Sequence, residues 1–256
     1  MKILLSNDDG INAPGLQTLR SRMVQQHEVT TVAPDRNRSG ASHSLTLNRP
    51  LHLHTHSNGD YSVDGTPTDC VHLALTGLLA EQQQDPEIVI SGINAGANMA
   101  DDVLYSGTVA AAMEGRFLGL PAIAVSLVCK DNRCHNYESG AIAVEQMLER
   151  LDDHPLGKET ILNINVPDLP WREIRGFKVT HLGRRHRSEP VVKMQDPRGE
   201  DIYWIGAAGK AEYSEEGTDF HAVDSGWISV TPLHTDLTQY GAVNKMESWL
   251  DSEEVK

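Results

Sequence analysis

Met1-Lys2-Ile3-Leu4-Leu5-Ser6-Asn7-Asp8-Asp9-Gly10 is the stretch whose reading decides the fold. Lys2 to Ser6 is a short apolar run that breaks at once into the turn-forming Asn7-Asp8-Asp9-Gly10, the pattern of a buried strand ending at a sheet edge. Pro14 and Gly15 then open a helical pattern, with Leu16, Leu19 and Met23 on one face. Val29 to Ala33 is a second buried strand, closed by Pro34 and followed by a polar loop from Asp35 to Ser44. Leu51 to His56 and Tyr61 to Val63 flank Asn58-Gly59 and predict a hairpin. Thr66-Pro67-Thr68-Asp69 is a helix-start signal before the apolar stripe Val71 to Leu79. Ile88 to Ile90, Pro121 to Val128 and Thr160 to Val166 predict three further strands. Helical patterns at Val109 to Phe117 and Glu138 to Leu151 separate them.

Short β-branched runs alternating with helices specify α/β architecture: a doubly wound, mostly parallel sheet covered on both faces. This reading assigns residues 1–166 to the core. Residues 167–256 change character. Strand-like segments at Val179 to Leu182, Ile202 to Ile205 and Trp227 to Thr231 are separated by Gly, Pro and charged loops, and a final helix is predicted near Val243 to Leu250. These read as C-terminal β-hairpin extensions suited to oligomerisation.

At 256 residues the chain is long enough for a full core, and its 39% hydrophobic and 23% charged content excludes intrinsic disorder. A formal net charge of -14 argues against a nucleic-acid duplex as partner, because such binders need basic surface to release counterions. No run approaches the roughly 20 apolar residues of a bilayer span, and the polar turn at Ser6-Asn7-Asp8 comes too soon for a signal peptide, so no membrane role and a cytoplasmic location are expected. Cys70, Cys129 and Cys134 are too few for a disulfide framework, and Cys129-x4-Cys134-His135 lacks a second cluster for zinc, so structural or incidental thiols are expected.

In open α/β sheets, ligands bind outside the carboxyl ends of the strands. That rule gathers Asp8 and Asp9 after the first strand, Ser39 after the second, Asn94 and Asn98 after the third, and Ser106, Gly107 and Thr108 at a helix start. Adjacent carboxylates with a hydroxyl and an amide oxygen form an all-oxygen set, which suits Mg²⁺ or Mn²⁺ better than zinc or copper. The Ser106-Gly107-Thr108 turn adds free amides for an anion. Two carboxylates and a phosphate dianion together carry about -4, whereas a helix N-terminus offers roughly +0.5, so a divalent cation is needed to close the balance. The chemistry that fits is metal-assisted phosphomonoester hydrolysis, with Asp8 or Asp9 accepting a proton. Each element alone has a plainer explanation. Asp-Asp-Gly is commonly a turn, and Ser106 a helix N-cap.

Weaker features are His52, His54 and His56 on one strand face, more simply a solvent-facing surface. Arg36 and Arg38 beside Ser39 are placed to meet substrate, with solvated loop charges as the equal alternative. Arg184-Arg185-His186-Arg187 reads first as a salt-bridge or subunit contact, with phosphate or polyphosphate recruitment second. His234 is a candidate general acid.

Ser6-Asn7-Asp8-Asp9-Gly10 with Ala13-Pro14-Gly15, and Ala33-Pro34-Asp35-Arg36-Asn37-Arg38-Ser39-Gly40, closely resemble the SurE survival-protein family. So do Gly65-Thr66-Pro67-Thr68-Asp69-Cys70, Ser91-Gly92-Ile93-Asn94 with Gly96 and Asn98, Tyr105-Ser106-Gly107-Thr108-Val109, Asn163-Ile164-Asn165-Val166-Pro167, Gly217-Thr218-Asp219 and Thr231-Pro232-Leu233. The resemblance spans nearly the whole chain. It implies a Rossmann-like core and a cytoplasmic 5′/3′-nucleotidase acting on nucleoside monophosphates, often with exopolyphosphatase activity on polyphosphate. It further implies one divalent cation, Mn²⁺ or Mg²⁺, and homodimers or homotetramers built by exchanging C-terminal segments. Metal ligands fall on Asp8, Asp9, Ser39 and Asn94, and phosphate-lining segments on Asn98, Ser106, Gly107 and Thr108. The stretch from Cys129 to Tyr137 and the acidic tail after Leu250 match no motif of that family.

Three rival readings remain at this level. A nucleotide-binding stress sensor without turnover uses the same anion cradle. A covalent aspartyl-phosphate phosphatase would carry Asp-x-Asp where this chain has adjacent carboxylates. A dinucleotide oxidoreductase would need Gly-x-Gly-x-x-Gly after the first strand, which is absent.

Overall fold

A computed structural model of the chain describes residues 1–129, 133–157 and 160–252. The opening run forms β1 (Lys2–Ser6), and its side chains alternate between layers. Ile3 and Leu5 pack on one face of the sheet and Leu4 on the other. Burial of an aliphatic side chain is worth about 1.5–3 kcal/mol, so a register slip that exchanged these faces would be costly.

Parallel pairing joins β1 to β2 (Glu28–Pro34) on one side and to β5 (Ile88–Ala95) on the other. β6 (Ala122–Val128) and β7 (Ile161–Pro167) continue the parallel run beyond β5. The predicted hairpin is β3 (Leu53–Thr55) with β4 (Tyr61–Val63), attached to β2 through β4. One layer of helices comprises α1 (Pro14–Met23) and α5 (Tyr137–Asp153), which bury Leu16, Leu19, Met23, Ala141, Val144 and Leu148. The other layer holds α2 (Pro67–Leu73), a π-helical turn at Ala74–Leu78, α3 (Leu79–Gln82) and α4 (Gly107–Phe117). Thr66 starts α2 with a complete capping box, its hydroxyl accepting from the Asp69 amide while Asp69 accepts from the Thr66 amide. The small residues of α4 let it lie close to the sheet. A Cβ on Gly115 would come within 2.6 Å of Val89.

The region after 167 divides in two. β13 (Ile228–Leu233) pairs antiparallel with β7, and β8 (Phe177–Val179) pairs parallel with β13, giving nine strands in the order β3-β4-β2-β1-β5-β6-β7-β13-β8. The Trp227 to Thr231 segment, read as part of a protruding hairpin, thus completes the sheet. Its alternating Ile228 and Val230 join the core beside Ile164 and Val166, covering what would otherwise be the exposed edge of β7. The strand expected at Val179 to Leu182 ends at Val179. The extensions proper are the ladder of β9 (Arg184–Arg185) with β12 (Ala211–Tyr213), the hairpin of β10 (Val192–Gln195) with β11 (Asp201–Trp204), and α7 (Tyr240–Ser252). α6 (Asp219–Asp224) packs back against β13 and β7.

Cys129 and Cys134 are joined by a disulfide, Cα atoms 5.1 Å apart, where free thiols were expected; Cys70 is free and buried. A scarcity of cysteines excludes a framework, but it does not bear on a single local bridge that closes one short loop at the end of β6. Residues 130–132 of that loop, and the acidic tail beyond 252, lie outside the described residues. Among the described residues no helix is long and apolar enough to cross a membrane.

Candidate functional site

The strand order reverses at β1, with β2 on one flank and β5 on the other, so the carboxyl ends of β1 and β5 open a crevice between them. Asn7 shapes the first lip. Its amide Nδ2 donates to the Gly10 carbonyl and its Oδ1 accepts from the Gly10 amide, closing a turn that holds Asp8 and Asp9 between them. Gly10 sits at φ +103, where a Cβ would also come within 3.0 Å of the Arg36 backbone, a place that favours glycine.

Asp8 is 4% exposed. Thr108 at the start of α4 donates its hydroxyl to Asp8 Oδ1, and the amides of Gly107 and Thr108 also favour the charged carboxylate. Burial nevertheless prevails and raises the Asp8 pKa. Asp9 accepts from the Ala95 amide at 2.9 Å and from Asn37 Nδ2 at 3.3 Å. Burial is the main cause that pushes its pKa up to about 6, and the neighbouring Asp8 charge adds to it. Neither carboxylate has a Lys, Arg or His partner among the described residues.

β5 contributes the opposing lip. Its register with β6 shifts between Ser91 and Asn94, and Gly92, at φ +138, lies where a Cβ would come within 2.3 Å of the Val125 carbonyl. This irregularity extends the strand past the expected end at Ile90 and carries Asn94 to the crevice. Asn94 Nδ2 donates to the Gly96 carbonyl at 2.9 Å, which leaves its oxygen as the free group. Asn98 is held by a buried amide network. Its backbone N–H donates to Asn165 Oδ1, its carbonyl accepts from Asn163 and Asn165, and its Nδ2 donates to the Ser126 hydroxyl at 2.8 Å. Ser39 is exposed, and its amide is fixed by Asn37 Oδ1 at 2.8 Å, so Asn37 links Ser39 to Asp9.

A cleft of about 910 Å³ is lined by Asp8, Ser39, Asn94, Asn98 and Ser106, which come from four separate segments of the chain. Asp9 borders an adjoining opening with Asn37, Ala95 and Tyr137. Gly107 and Thr108 stand behind Asp8, and a Cβ on Gly107 would meet the Asp8 Cβ at 2.7 Å. The helix start expected to receive phosphate is therefore turned toward the protein's own anion, Asp8. Ser106 accepts from the Val109 amide at 3.0 Å as an N-cap and also faces the cleft, so both roles weighed for it coexist.

Several candidates fall elsewhere. Arg36 bonds Asp35, Arg38 reaches the Asp64 carbonyl at 2.9 Å, and neither lines the cleft. Arg184 to Arg187 do line it, because the extension folds back over the opening. Arg185 clasps Asp102 at 2.6 Å while its amide donates to Asp101. His234 borders a second, mostly apolar pocket that shares Leu104 and Ser106 with the cleft. His52, just before β3, and His54 on it are exposed, as the solvent-facing reading expects, whereas half-buried His56 bonds the Ser62 hydroxyl at 2.9 Å. Sequence reasoning passed over Asn37, the Asp101–Asp102 pair and Asp219. Fully buried Asp219 accepts from the Ala100 and Gly183 amides at 2.7 and 2.9 Å. The Gly217-Thr218-Asp219 motif was visible, but its partners lie far away in sequence.

The donor set tests well for a hard cation. Two desolvated carboxylates without a basic partner, a free amide oxygen and an accessible hydroxyl are all oxygen ligands. Among the described residues no group of three His, Cys, Asp or Glu side chains is placed to hold a metal, so such an ion would depend on Ser39 and Asn94 as well as the acids.

Comparison with known proteins adds to this geometry. Residues 3–189 match the family described as Survival protein SurE. A Stenotrophomonas maltophilia protein named 5′-nucleotidase SurE is 57% identical over 98% of this chain and 96% of its own length. One of the same name from Xanthomonas axonopodis pv. citri is 56% identical over the same shares. The crystal structure of SurE from Aquifex aeolicus superposes with a TM-score of 0.85 at 43% identity, covering 98% of this chain and all of that one. With the fold, the crevice and near-full-length identity in agreement, the chain belongs to the SurE family.

Proposed function

We propose that the chain is a metal-dependent phosphomonoesterase that hydrolyses nucleoside 5′- and 3′-monophosphates to nucleoside and phosphate, with short-chain polyphosphate as a secondary substrate. The family's relatives are named 5′-nucleotidases, which supports nucleotidase chemistry in general. The single observation that carries the reading is the pair of adjacent carboxylates, Asp8 buried on the cleft and Asp9 half-buried at its adjoining opening, with no basic partner among the described residues. A purely binding protein, such as a nucleotide sensor, would gain nothing from acids set against a phosphate.

Asp8, Asp9, Ser39 and Asn94 would hold one divalent cation, Mn²⁺ or Mg²⁺. When bound, such an ion neutralises charge, polarises a phosphoryl oxygen and lowers the pKa of water. The chain's own residues do the rest. Ser106 and Asn98 border the cleft and orient phosphate oxygens. Asp8 or Asp9 would accept a proton from an attacking water. Thr108 and the first amides of α4 oppose the burial that raises the Asp8 pKa and fix the carboxylate in direction.

Exposed Val192, Met194, Tyr203 and Trp204 on the hairpin, and Tyr240, Met246 and Trp249 on α7, support assembly into a homodimer or homotetramer through the C-terminal segments. A cytoplasmic site of action completes the reading. The Cys129–Cys134 bridge pulls against it, since disulfides are rare in a reducing cytosol, and thiol labelling in intact cells decides the matter.

The decisive experiment is phosphate release from a nucleotide panel after exhaustive chelation. Activity should vanish and return on adding Mn²⁺ or Mg²⁺. Undiminished turnover by the demetallated protein overturns the mechanism, and stoichiometric binding without turnover under every metal favours the sensor.

A further inference from the structure

The outer half of the cleft carries features that phosphate chemistry does not use. Tyr105 lies one residue before the N-cap Ser106 and is 69% exposed on the cleft wall. Its backbone is pinned at both polar groups, the amide donating to the Asp102 carbonyl at 3.0 Å and the carbonyl accepting from the Ser42 amide at 3.3 Å. The ring has no hydrogen bond or ring partner among the described residues. Leu104, 55% exposed, adjoins it on the same wall. The folded-back extension supplies the rest of the lining, with Ile205 at 87% exposure, followed by Gly206, Ala208 and Gly209. Gly206 and Gly209 hold that segment tightly to its neighbour. A Cβ on Gly206 would come within 1.9 Å of the Glu189 carbonyl oxygen, and one on Gly209 within 2.1 Å of the His186 carbonyl oxygen.

An exposed aromatic ring on a fixed backbone is a ready stacking platform. Every nucleobase offers a flat π face, so such a platform binds bases without selecting among them. A cleft of about 910 Å³ is also far larger than a phosphate group needs. We propose that Tyr105 and the Ile205 to Gly209 segment form a base-tolerant nucleobase subsite, with the ring of Tyr105 stacking on the base of a nucleotide whose phosphate lies toward Asp8 and Ser106. This rests on the nucleotide reading of the same cleft and adds the group that recognises the nucleoside half. Tyr105 is a specificity-determining residue in this scheme, and the reacting atoms do not involve it.

The experiment compares AMP, UMP, ribose 5-phosphate and tripolyphosphate in the full chain with Mn²⁺, using Tyr105→Ala, Tyr105→Phe and Ile205→Ser. Stacking predicts that Tyr105→Ala lowers the ratio of kcat/KM for AMP over ribose 5-phosphate about tenfold, chiefly through KM. UMP should follow the same trend more weakly, and Tyr105→Phe should keep the wild-type ratio because it retains the ring. Ile205→Ser should lower the ratio by a smaller factor. An unchanged ratio in Tyr105→Ala, equal losses on both monoesters, or a Phe variant as impaired as the Ala variant overturns the subsite. A selective loss on tripolyphosphate alone also overturns it, assigning this wall to a longer phosphate chain. Equilibrium binding of AMP and ribose 5-phosphate reads the same ratio without turnover, so a failed nucleotidase activity remains distinguishable from a failed subsite.

Discussion

The crevice at the ends of β1 and β5 and the hairpin of β10 and β11 are built on opposite terms. In the crevice, Ser6, Asn7, Asn163, Asn165 and Thr108 are fully buried polar residues; four of the five have a side-chain hydrogen bond, while Ser6 Oγ and Asn163 Oδ1 have none. In the hairpin every residue of both strands is exposed, and apolar side chains such as Val192 and Trp204 face outward. A buried polar group must be satisfied to avoid a penalty of about 1–3 kcal/mol, so the crevice has little freedom to change shape. The hairpin holds its own ladder but contributes almost nothing to the core. One region is held mainly from within; the other leaves its apolar side chains exposed.

Substitutions can break or sharpen this contrast. The largest effect is expected for Asp8→Asn, which should lower kcat by on the order of 10³ while leaving the melting temperature nearly unchanged or raised, since it removes a desolvated charge. Near-normal turnover would detach Asp8 from the chemistry. Gly107→Ala should follow, at about 10² in kcat/KM, because its Cβ would collide with Asp8 at 2.7 Å and displace the carboxylate. A crystal structure showing Asp8 unmoved with activity retained would contradict this.

The third test concerns the loop that bears Ser39. Glu114 in α4 accepts from His43 Nε2 at 3.0 Å and His72 Nδ1 at 2.7 Å, tying that loop to the helix. Burial acts to raise the Glu114 pKa, but the two histidine hydrogen bonds prevail and hold it below the usual range. A depressed carboxyl stabilises the fold above its unfolded pKa, and that stability is lost as pH falls through the lower, folded value. Glu114→Gln should therefore cost about 1–2 kcal/mol at neutral pH and flatten the acid limb of Tm against pH. Parallel Tm profiles for the two proteins would sink the assignment. The smallest effect belongs to the hairpin. Replacing residues 191–205 with a short flexible linker should change unfolding free energy by less than about 0.5 kcal/mol yet alter the sedimentation profile. A large loss of monomer stability, or unchanged sedimentation, would erase the contrast.

The same contrast explains what was legible in the sequence. Local signals carried the core. Thr66 to Asp69 spells a capping box, Asn58-Gly59 a hairpin turn, and the apolar run before Asn7 a buried strand. The position of Asp8, Asp9, Ser39 and Asn94 followed from one topological rule applied to those elements. What escaped depends on contacts between distant segments. Nothing near Ile228 says that it will pair beside β7, and the bulge that carries Asn94 past Ile90 needs β6 to exist. Arg184 to Arg187 read as a surface run because only the fold-back of the extension brings them to the cleft. Arg36 and Arg38 looked better placed from proximity to Ser39, yet Asp35 and Asp64 engage them first.

Asp219 gives the molecule a mechanical character. One buried carboxylate grips Ala100, at the root of the cleft's rim and held at φ +52, and Gly183, at the root of the extension. Arg185 adds a second rivet through Asp101 and Asp102. Rim and extension therefore share a hinge-pin. Displacing the extension would strain the same contacts that hold the mouth of the crevice.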